Sequence, residues 1–228
     1  MSSQKFRAIS FDAAGTLIHL AEPVGDSYSR VAARYGIKAD AERLSCSFRT
    51  VWKRTHLPFS PESSICDPDE KSWWRRLVRV VFEDAGAELP DGEIFNEFFE
   101  ALYTHFESPG TWIADLDATL VLEKVGSHYS CLVISNFDAR LRRIFDDLDL
   151  LSHFENVILS CEVGASKPDP RIFQTAAMAQ ELEPETILHV GDDPVCDWEG
   201  APAAGFGIFK VGKGQRRLVE LLDELSLA

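Results

Sequence analysis

The chain has few basic side chains and no long apolar run. Its 228 residues include 23 Lys and Arg against 37 Asp and Glu, a formal net charge of −14. So acidic a chain repels nucleic acid and anionic membrane surfaces, and no basic run provides a local exception. No apolar run approaches the ~20 residues of a membrane span, and residues 1–5 do not resemble a signal peptide. We therefore expect no nucleic-acid partner, no membrane association and a cytoplasmic location.

Cysteine is also sparse, and its spacing is irregular. No two cysteines have the separation of a metal-binding pair, which is typical of free thiols in a reducing compartment. Cys196 lies within an acidic segment, but no histidine is paired with it in the sequence. We interpret it as a packing residue rather than a nucleophile. The five cysteines are Cys46, Cys66, Cys131, Cys161 and Cys196.

Polar residues follow the apolar runs at several places along the chain. In open α/β sheets ligands bind at the carboxyl ends of the strands. The run 7–11 leads into DAAGT at 12–16, whose glycine permits a tight turn and whose threonine offers a hydroxyl and an N–H to an anion. Each such group alone is often only a turn former or a surface charge, but several in one chain favour a site. The others are Ser135 and Asn136 after run 132–134, Lys167 before a helix start at 168–170, and Asp192, Asp193 and Asp197 after run 187–190.

Between residues 22 and 108 the strand signals give way to helical ones. Apolar residues recur there at the i, i+3, i+4, i+7 spacing of amphipathic helices in three stripes and at i, i+4, i+7, i+8 in a fourth, which predicts a bundle of four. Aromatic residues at this spacing are usually core rather than a cofactor site. The four stripes are Tyr28, Val31, Ala32 and Tyr35; Leu44, Phe48, Val51 and Trp52; Trp74, Leu77, Val78 and Val81; and Phe95, Phe98, Phe99 and Leu102.

After residue 110 strands and helices alternate again. Apolar runs at 157–159 and 207–209 complete the predicted strands, and helical stripes begin at Leu141, Ile172 and Leu218. Alternation of this kind predicts an α/β fold with a parallel sheet.

The polar segments resemble the four motifs of the haloacid dehalogenase (HAD) superfamily: Asp-x-x-Gly-Thr, a Ser or Thr, a Lys, and Gly-Asp-x-x-x-x-Asp. The likeness covers essentially the whole chain. It implies a Rossmann-like parallel-sheet core formed by residues 1–20 and 108–228, with a four-helix-bundle cap at 21–107. Closure of such a cap excludes water, and cap side chains set specificity. A narrower likeness to one branch of the superfamily, itself poorly defined in substrate, rests on segments 23–28, 72–74, 135–141, 167–173 and 189–192.

The resemblance also implies roles for the matching residues. Asp12 corresponds to a nucleophile that forms an aspartyl-phosphate. Mg²⁺ would be held by Asp12, Asp192 and the carbonyl of Ala14, all hard oxygen donors. No Lys or Arg lies near either aspartate in the sequence, which also favours a cation there. Lys167 would neutralise Asp12 and the phosphoryl group, and Ser135 would donate a hydrogen bond to that group. Asp197 would hold Lys167 or a metal-bound water, and Asp193 would either support the site or cap the following helix. The expected substrate contacts are Gly15, Thr16 and Asn136.

The sequence departs from the phosphatase pattern at Ala14, where the family's phosphatases carry an aspartate that acts as general acid and base. Loss of such a group typically costs ~10²–10⁴ in rate. We expect a Mg²⁺-dependent, phosphatase-like hydrolase of a small phosphorylated metabolite, and three alternatives remain open. The first is a phosphonatase-like enzyme with Lys53 as its cap lysine. The second is a 2-haloacid dehalogenase, which the retained Asp192 disfavours, and the third is a weakly catalytic domain used for binding.

Overall fold

The computed structural model of the protein describes residues 5–59 and 70–227. The chain divides into two compact units. Unit 1 comprises Met1–His19, Phe59–Pro61 and Ile113–Ala228, and unit 2 comprises Leu20–Pro58 and Glu62–Trp112. Four of the five cysteines are free thiols, whereas Cys66 lies outside the described residues. No helix in the described ranges is both long and apolar enough to cross a membrane.

Unit 1 is built on a five-stranded sheet in which every recorded strand pair is parallel. The order across the sheet is β5-β4-β1-β6-β7. Phe11 at the end of β1 lies opposite Val133 of β4 and Val190 of β6, so these three strands end at the same edge. The strands are β1 (Ala8–Phe11), β4 (Ser130–Ser135), β5 (Asn156–Leu159), β6 (Ile187–Gly191) and β7 (Gly207–Lys210). This sheet confirms the predicted Rossmann-like α/β fold.

Burial explains why the central strands read as continuous apolar runs. All four residues of β1 and all five of β6 are buried, as expected of strands covered on both faces. Helices connect them: α5 (Ala118–Gly126), α6 (Arg140–Asp147), α7 (Ser160–Val163), α8 (Pro170–Ala179), α9 (Gly200–Ala203) and α10 (Leu221–Glu224). Asp169 caps α8 by accepting from the Arg171 N–H, and Pro170 occupies the first helical position, where its missing N–H costs nothing.

Unit 2 contains the four helices that the apolar stripes predict. They are α1 (Val24–Ala33), α2 (Ala41–Arg54), α3 (Glu70–Asp84) and α4 (Gly92–His105). Their apolar faces form one aromatic-rich core. The sequence places Trp74 at the start of the third stripe, but Trp73 is the fully buried residue and Trp74 only packs partly against the core. Trp73 lies four residues before Leu77, which puts it on the same helical face.

Two short strands were not predicted. β2 (Ile18–Leu20) and β3 (Trp112–Ala114) pair in a separate two-stranded sheet. Three residues are too few for the periodicity of a strand to stand out in the sequence.

Candidate active site

The predicted site residues gather where β1, β4 and β6 end. Asp12 directly follows β1, and its N–H donates to the Val190 carbonyl of β6 at 2.8 Å. Oxygen atoms of Asp12, Asp192 and Asp197 all lie within 4.8 Å of one another. Strand alignment therefore brings together carboxylates that are about 180 residues apart in the sequence.

Lys167 lies at the centre of this cluster. Its side chain is only 2 % exposed, and Nζ donates to Asp12 Oδ1 at 2.7 Å and to Asp197 Oδ1 at 2.6 Å. Burial opposes the charged amine, but the two carboxylates outweigh it and raise the pKa of Lys167 above its ordinary value. Tertiary folding thus brings beside Asp12 a basic side chain that lies 155 residues away in the sequence.

Asn136 fixes the backbone of Lys167. Its Nδ2 donates to the Lys167 carbonyl at 3.0 Å, and its Oδ1 accepts from the Lys167 N–H at 2.7 Å. These two bonds engage both ends of the amide and hold the lysine loop against the end of β4. The substrate contact expected of Asn136 stays a prediction, since the observed contacts position Lys167 instead.

Asp197 is fully buried, and both its oxygens accept hydrogen bonds. Oδ1 accepts from Lys167 Nζ and lies 3.0 Å from His189 Nε2, while Oδ2 accepts from the Asp193 N–H at 3.0 Å. Burial would raise its pKa, but Lys167 and His189 together hold the pKa of Asp197 well below its ordinary value. These bonds connect Asp197 to Lys167, His189 and the Asp193 backbone.

Asp192 packs closely against the turn that follows Asp12. A Cβ added to Gly15, whose φ is +99°, would meet Asp192 Oδ2 at 2.4 Å, so only glycine allows this approach. Thr16 Oγ1 donates to Asp192 Oδ1 at a long 3.4 Å. The N–H groups of Gly15 and Thr16 donate to Ile18 and Ala13 carbonyls within the turn. Their expected substrate contacts therefore remain predictions.

The pKa values of Asp12 and Asp192 are both raised well above the ordinary value of an aspartate. Burial raises the pKa of Asp12 to about 7, with Lys167 opposing the shift and Asp197 and Asp192 adding to it. Burial and the Asp197 charge raise the pKa of Asp192 to about 6. Ionised carboxylates held this close repel one another, and a cation between them would remove the repulsion.

The residues present fit a hard divalent ion such as Mg²⁺. Asp12 and Asp192 each offer a carboxylate oxygen, and Gly15 lets the Asp192 carboxylate pack directly against the turn that contains Ala14. Ala14 is exposed, and within residues 5–59 and 70–227 no recorded backbone N–H donates to its carbonyl. Carboxylate and carbonyl oxygens are the ligands that Mg²⁺ prefers.

Ser135 and Asp193 complete the predicted set. Ser135 is buried at the end of β4, and its Oγ accepts from the Phe137 N–H at 3.3 Å, so its own hydrogen can donate elsewhere. Asp193 is exposed, and its Oδ1 accepts from the Val195 and Cys196 N–H groups. Asp193 was expected to support the site or to cap a helix. In the structure its side chain caps the turn that follows it, not a helix.

Two further residues, Cys196 and Lys53, carry reactive side chains. Burial raises the pKa of Cys196 far above its ordinary value, which disfavours the reactive thiolate, and its sulfur contacts Asn136 Nδ2 at 3.6 Å. Lys53 is exposed on α2 in unit 2.

Sequence reasoning missed His189 and Ser10. Both are buried in central strands, and Ser10 Oγ lies 2.9 Å from His189 Nδ1. The available signal was a polar residue in the middle of each otherwise apolar run, at positions that face each other across β1 and β6.

Comparison with known proteins agrees with this geometry. A family model described as haloacid dehalogenase-like hydrolase matches residues 6–205. Haloacid dehalogenase-like hydrolase domain-containing protein 3 of Mus musculus is 33% identical over 208 residues, which cover 91% of this chain and 82% of the relative.

Solved structures support the same fold. A HAD phosphatase from Thermococcus onnurineus superposes with a TM-score of 0.66 at 21% identity, covering 97% of this chain and 99% of that one. The L-2-haloacid dehalogenase PA0810 superposes with a TM-score of 0.75 at 16% identity, covering 98% and 100%. The chain therefore belongs to the haloacid dehalogenase-like hydrolases, in the branch of haloacid dehalogenase-like hydrolase domain-containing protein 3.

Proposed function

We propose that the protein is a Mg²⁺-dependent phosphoryl-transfer hydrolase that acts on a small phosphorylated molecule through an aspartyl-phosphate on Asp12. The observation that carries this proposal is the buried Lys167 ammonium between Asp12 and Asp197. It holds one oxygen of Asp12 in a fixed direction and places positive charge where an incoming phosphoryl group would need it.

The charge of the cluster supports a divalent ion. Three carboxylates face a single ammonium group, and the adjoining His189 is neutral because burial lowers its pKa. Two negative charges remain when all three carboxylates are ionised, which matches the charge of Mg²⁺. Bound to Asp12, Asp192 and the Ala14 carbonyl, the ion would reduce the repulsion between an anionic nucleophile and an anionic phosphate.

The protein's own residues supply the rest of the first step. Asp12 attacks phosphorus with its carboxylate oxygen, the bond from phosphorus to the ester oxygen breaks, and its electron pair leaves with that oxygen. Lys167 and the Ser135 hydroxyl donate to the phosphoryl oxygens. Water then attacks the phosphorus, the bond from phosphorus to the Asp12 oxygen breaks with its electron pair staying on the regenerated carboxylate, and phosphate and a proton pass to solvent.

The methyl group of Ala14 can neither protonate the leaving oxygen nor activate that water. The enzyme therefore suits phosphates whose leaving group is already a weak base, such as aryl phosphates. We further propose that residues 21–107 serve as the helical cap over such a substrate, with hinges near residues 20–21 and 107–108.

The decisive experiment measures hydrolysis of p-nitrophenyl phosphate and of an alkyl phosphate, with and without Mg²⁺. We expect slow, Mg²⁺-dependent turnover of the aryl ester, a rate that falls steeply as the leaving group becomes more basic, and no turnover by Asp12→Asn. Asp146→Asn, which removes an exposed carboxylate from α6, is the matched control and should retain full activity. Equal rates for aryl and alkyl esters would contradict the account of Ala14.

Ala14 also favours a second candidate, a weakly catalytic domain used for binding. The same assay, extended to phosphonoacetaldehyde and a 2-haloacid, separates the possibilities. No turnover of any substrate supports the binding role. Turnover of the aldehyde that is lost in Lys53→Arg supports phosphonatase-like chemistry, and halide release without Mg²⁺ supports a dehalogenase.

A further inference from the structure

A chain of buried hydrogen bonds extends from the candidate site into the centre of the sheet. Ser10 Oγ lies 2.9 Å from His189 Nδ1, His189 Nε2 lies 3.0 Å from Asp197 Oδ1, and that same oxygen accepts from Lys167 Nζ. Ser10, His189 and Asp197 are each 0 % exposed. Buried polar groups cost free energy unless they are hydrogen-bonded, and here each of them has a partner. The presence of polar side chains in the middle of an apolar sheet therefore suggests a role for them.

The bonding partners determine the tautomer of His189. The Asp197 carboxylate can only accept, so the Nε2 of His189 carries the hydrogen. Burial lowers the pKa of His189, which keeps the imidazole neutral and leaves Nδ1 as an acceptor for the Ser10 hydroxyl. Phe173 packs edge-on against the ring, with centroids 5.5 Å apart, and restricts its rotation.

This arrangement is not a serine hydrolase triad, although it contains the same three residue types. Ser10 is fully buried in β1, so its hydroxyl has no access to a substrate even though the imidazole that accepts its hydrogen is a base. The bonds instead converge on Asp197, whose Oδ1 is shared between the imidazole and the lysine.

We propose that His189 is a positioning residue, with Ser10 fixing its tautomer. It holds Asp197 Oδ1 in the direction that aims the Lys167 ammonium at Asp12. Without the Nε2 donor, Asp197 Oδ1 keeps Lys167 as its partner and Oδ2 stays bonded to the Asp193 N–H, but the direction of the Lys167 ammonium is less firmly fixed. This role deepens the proposed function, since it matters for turnover only if Asp12 is the nucleophile.

The test compares His189→Leu, His189→Gln and Ser10→Ala with the control Phe206→Leu. Gln keeps an N–H near the Nε2 position, whereas Leu removes it. Phe206 packs against Phe173 in the same core cluster but takes no part in the hydrogen bonds. We expect His189→Leu to lower kcat for p-nitrophenyl phosphate by ~10–100-fold with little change in KM, as outer-sphere partners of catalytic groups do. His189→Gln should recover most of the loss, and Ser10→Ala should show a smaller one.

Nuclear magnetic resonance provides a readout that does not need turnover. In the wild-type protein His189 should show a protonated Nε2 and an unprotonated Nδ1, and the Lys167 ¹⁵Nζ resonance should shift in His189→Leu but not in Phe206→Leu. The proposal is overturned if Lys167 is unaffected, or if His189→Leu and Phe206→Leu lose kcat equally. If the wild-type protein hydrolyses no phosphate, the proposed function fails, and the resonances alone then decide the role of His189. Should His189→Leu not fold, His189→Gln and Ser10→Ala carry the same comparison.

Discussion

Ala14 lies two residues beyond Asp12, at the position where the proposed mechanism lacks an acid–base side chain. The other groups needed for phosphoryl transfer lie together in the structure: Asp12 and Lys167 are hydrogen-bonded, and Asp192 is within 4.8 Å. The alanine side chain is exposed, so a longer one has room. Under the proposed mechanism, the site therefore departs from the phosphatase pattern at Ala14.

We predict that Ala14→Asp increases hydrolysis of alkyl phosphates by up to ~10²–10⁴-fold, since it restores a proton donor for the leaving oxygen. Aryl phosphates should gain much less. Steady-state kinetics with both esters measures the difference, and calorimetric titration with Mg²⁺ verifies that the metal site is intact. Flat activity in a folded, Mg²⁺-binding variant would show that the missing acid does not limit turnover.

The turn after β1 allows Asp192, which directly follows β6, to approach closely. Gly15 allows its close approach, because any side chain would occupy the space of the carboxylate. Gly86 has a similar positive φ of +74° but no neighbouring atom within 4 Å. Comparing substitutions at the two glycines therefore separates the effect of backbone strain from the effect of a clash with Asp192.

We predict that Gly15→Ala weakens Mg²⁺ binding by at least ~10-fold, because it displaces a ligand, whereas Gly86→Ala only loses ~1 kcal/mol of stability. Isothermal titration calorimetry measures the first effect, and urea unfolding the second. Similar Mg²⁺ affinities in both variants would argue against Asp192 as a ligand.

The helices of unit 2 depend on their aromatic faces. Trp73 on α3 is 1% exposed, and its Nε1 donates to the His56 carbonyl at 3.0 Å. Trp52 on α2 stacks on Trp74 and Phe48 but is 39% exposed.

We predict that Trp73→Ala destabilises this unit by ~3–5 kcal/mol, as loss of a buried tryptophan leaves a large cavity. Trp52→Ala should cost on the order of 1 kcal/mol, because much of its surface already faces water. Urea unfolding followed by circular dichroism measures both losses of stability. A larger loss in Trp52→Ala than in Trp73→Ala would contradict the prediction.

At the scale of the whole molecule, stability and metal binding are linked through pH. The pKa values of Asp12 and Asp192 are raised to about 7 and about 6, so the folded protein binds protons more tightly than the unfolded chain. The metal-free protein therefore has this contribution in full below the ordinary aspartate pKa of about 3.9 and loses it as the pH rises through about 7.

We predict that Mg²⁺ raises Tm more at about pH 8 than at about pH 5, because protons compete with the ion for both carboxylates. Differential scanning calorimetry measures both shifts. Asp192→Asn should abolish the Mg²⁺ effect at either pH. Equal shifts in the wild-type protein at the two pH values would mean that the ion binds elsewhere.

Local pattern alone determined much of this protein. Continuous apolar runs specified the buried strands β1, β4 and β6, because a strand that is covered on both faces carries apolar side chains on both. The 3.6-residue period specified the helices of unit 2. Asp12, Ser135 and Asp192 were identified from their places after these runs, Lys167 from its place before a helix start, and all four also from family resemblance.

Tertiary structure decided what pattern cannot encode. Which of two adjacent tryptophans faces the core depends on the neighbouring helices, and the strand order decides that Lys167 reaches Asp12. The bonds of Asn136 to the Lys167 backbone, and of His189 to Asp197, join residues up to 31 positions apart whose spacing carries no period. Buried polar groups are satisfied by whatever donor the fold brings near, so their partners follow from the folded geometry and not from the order of residues.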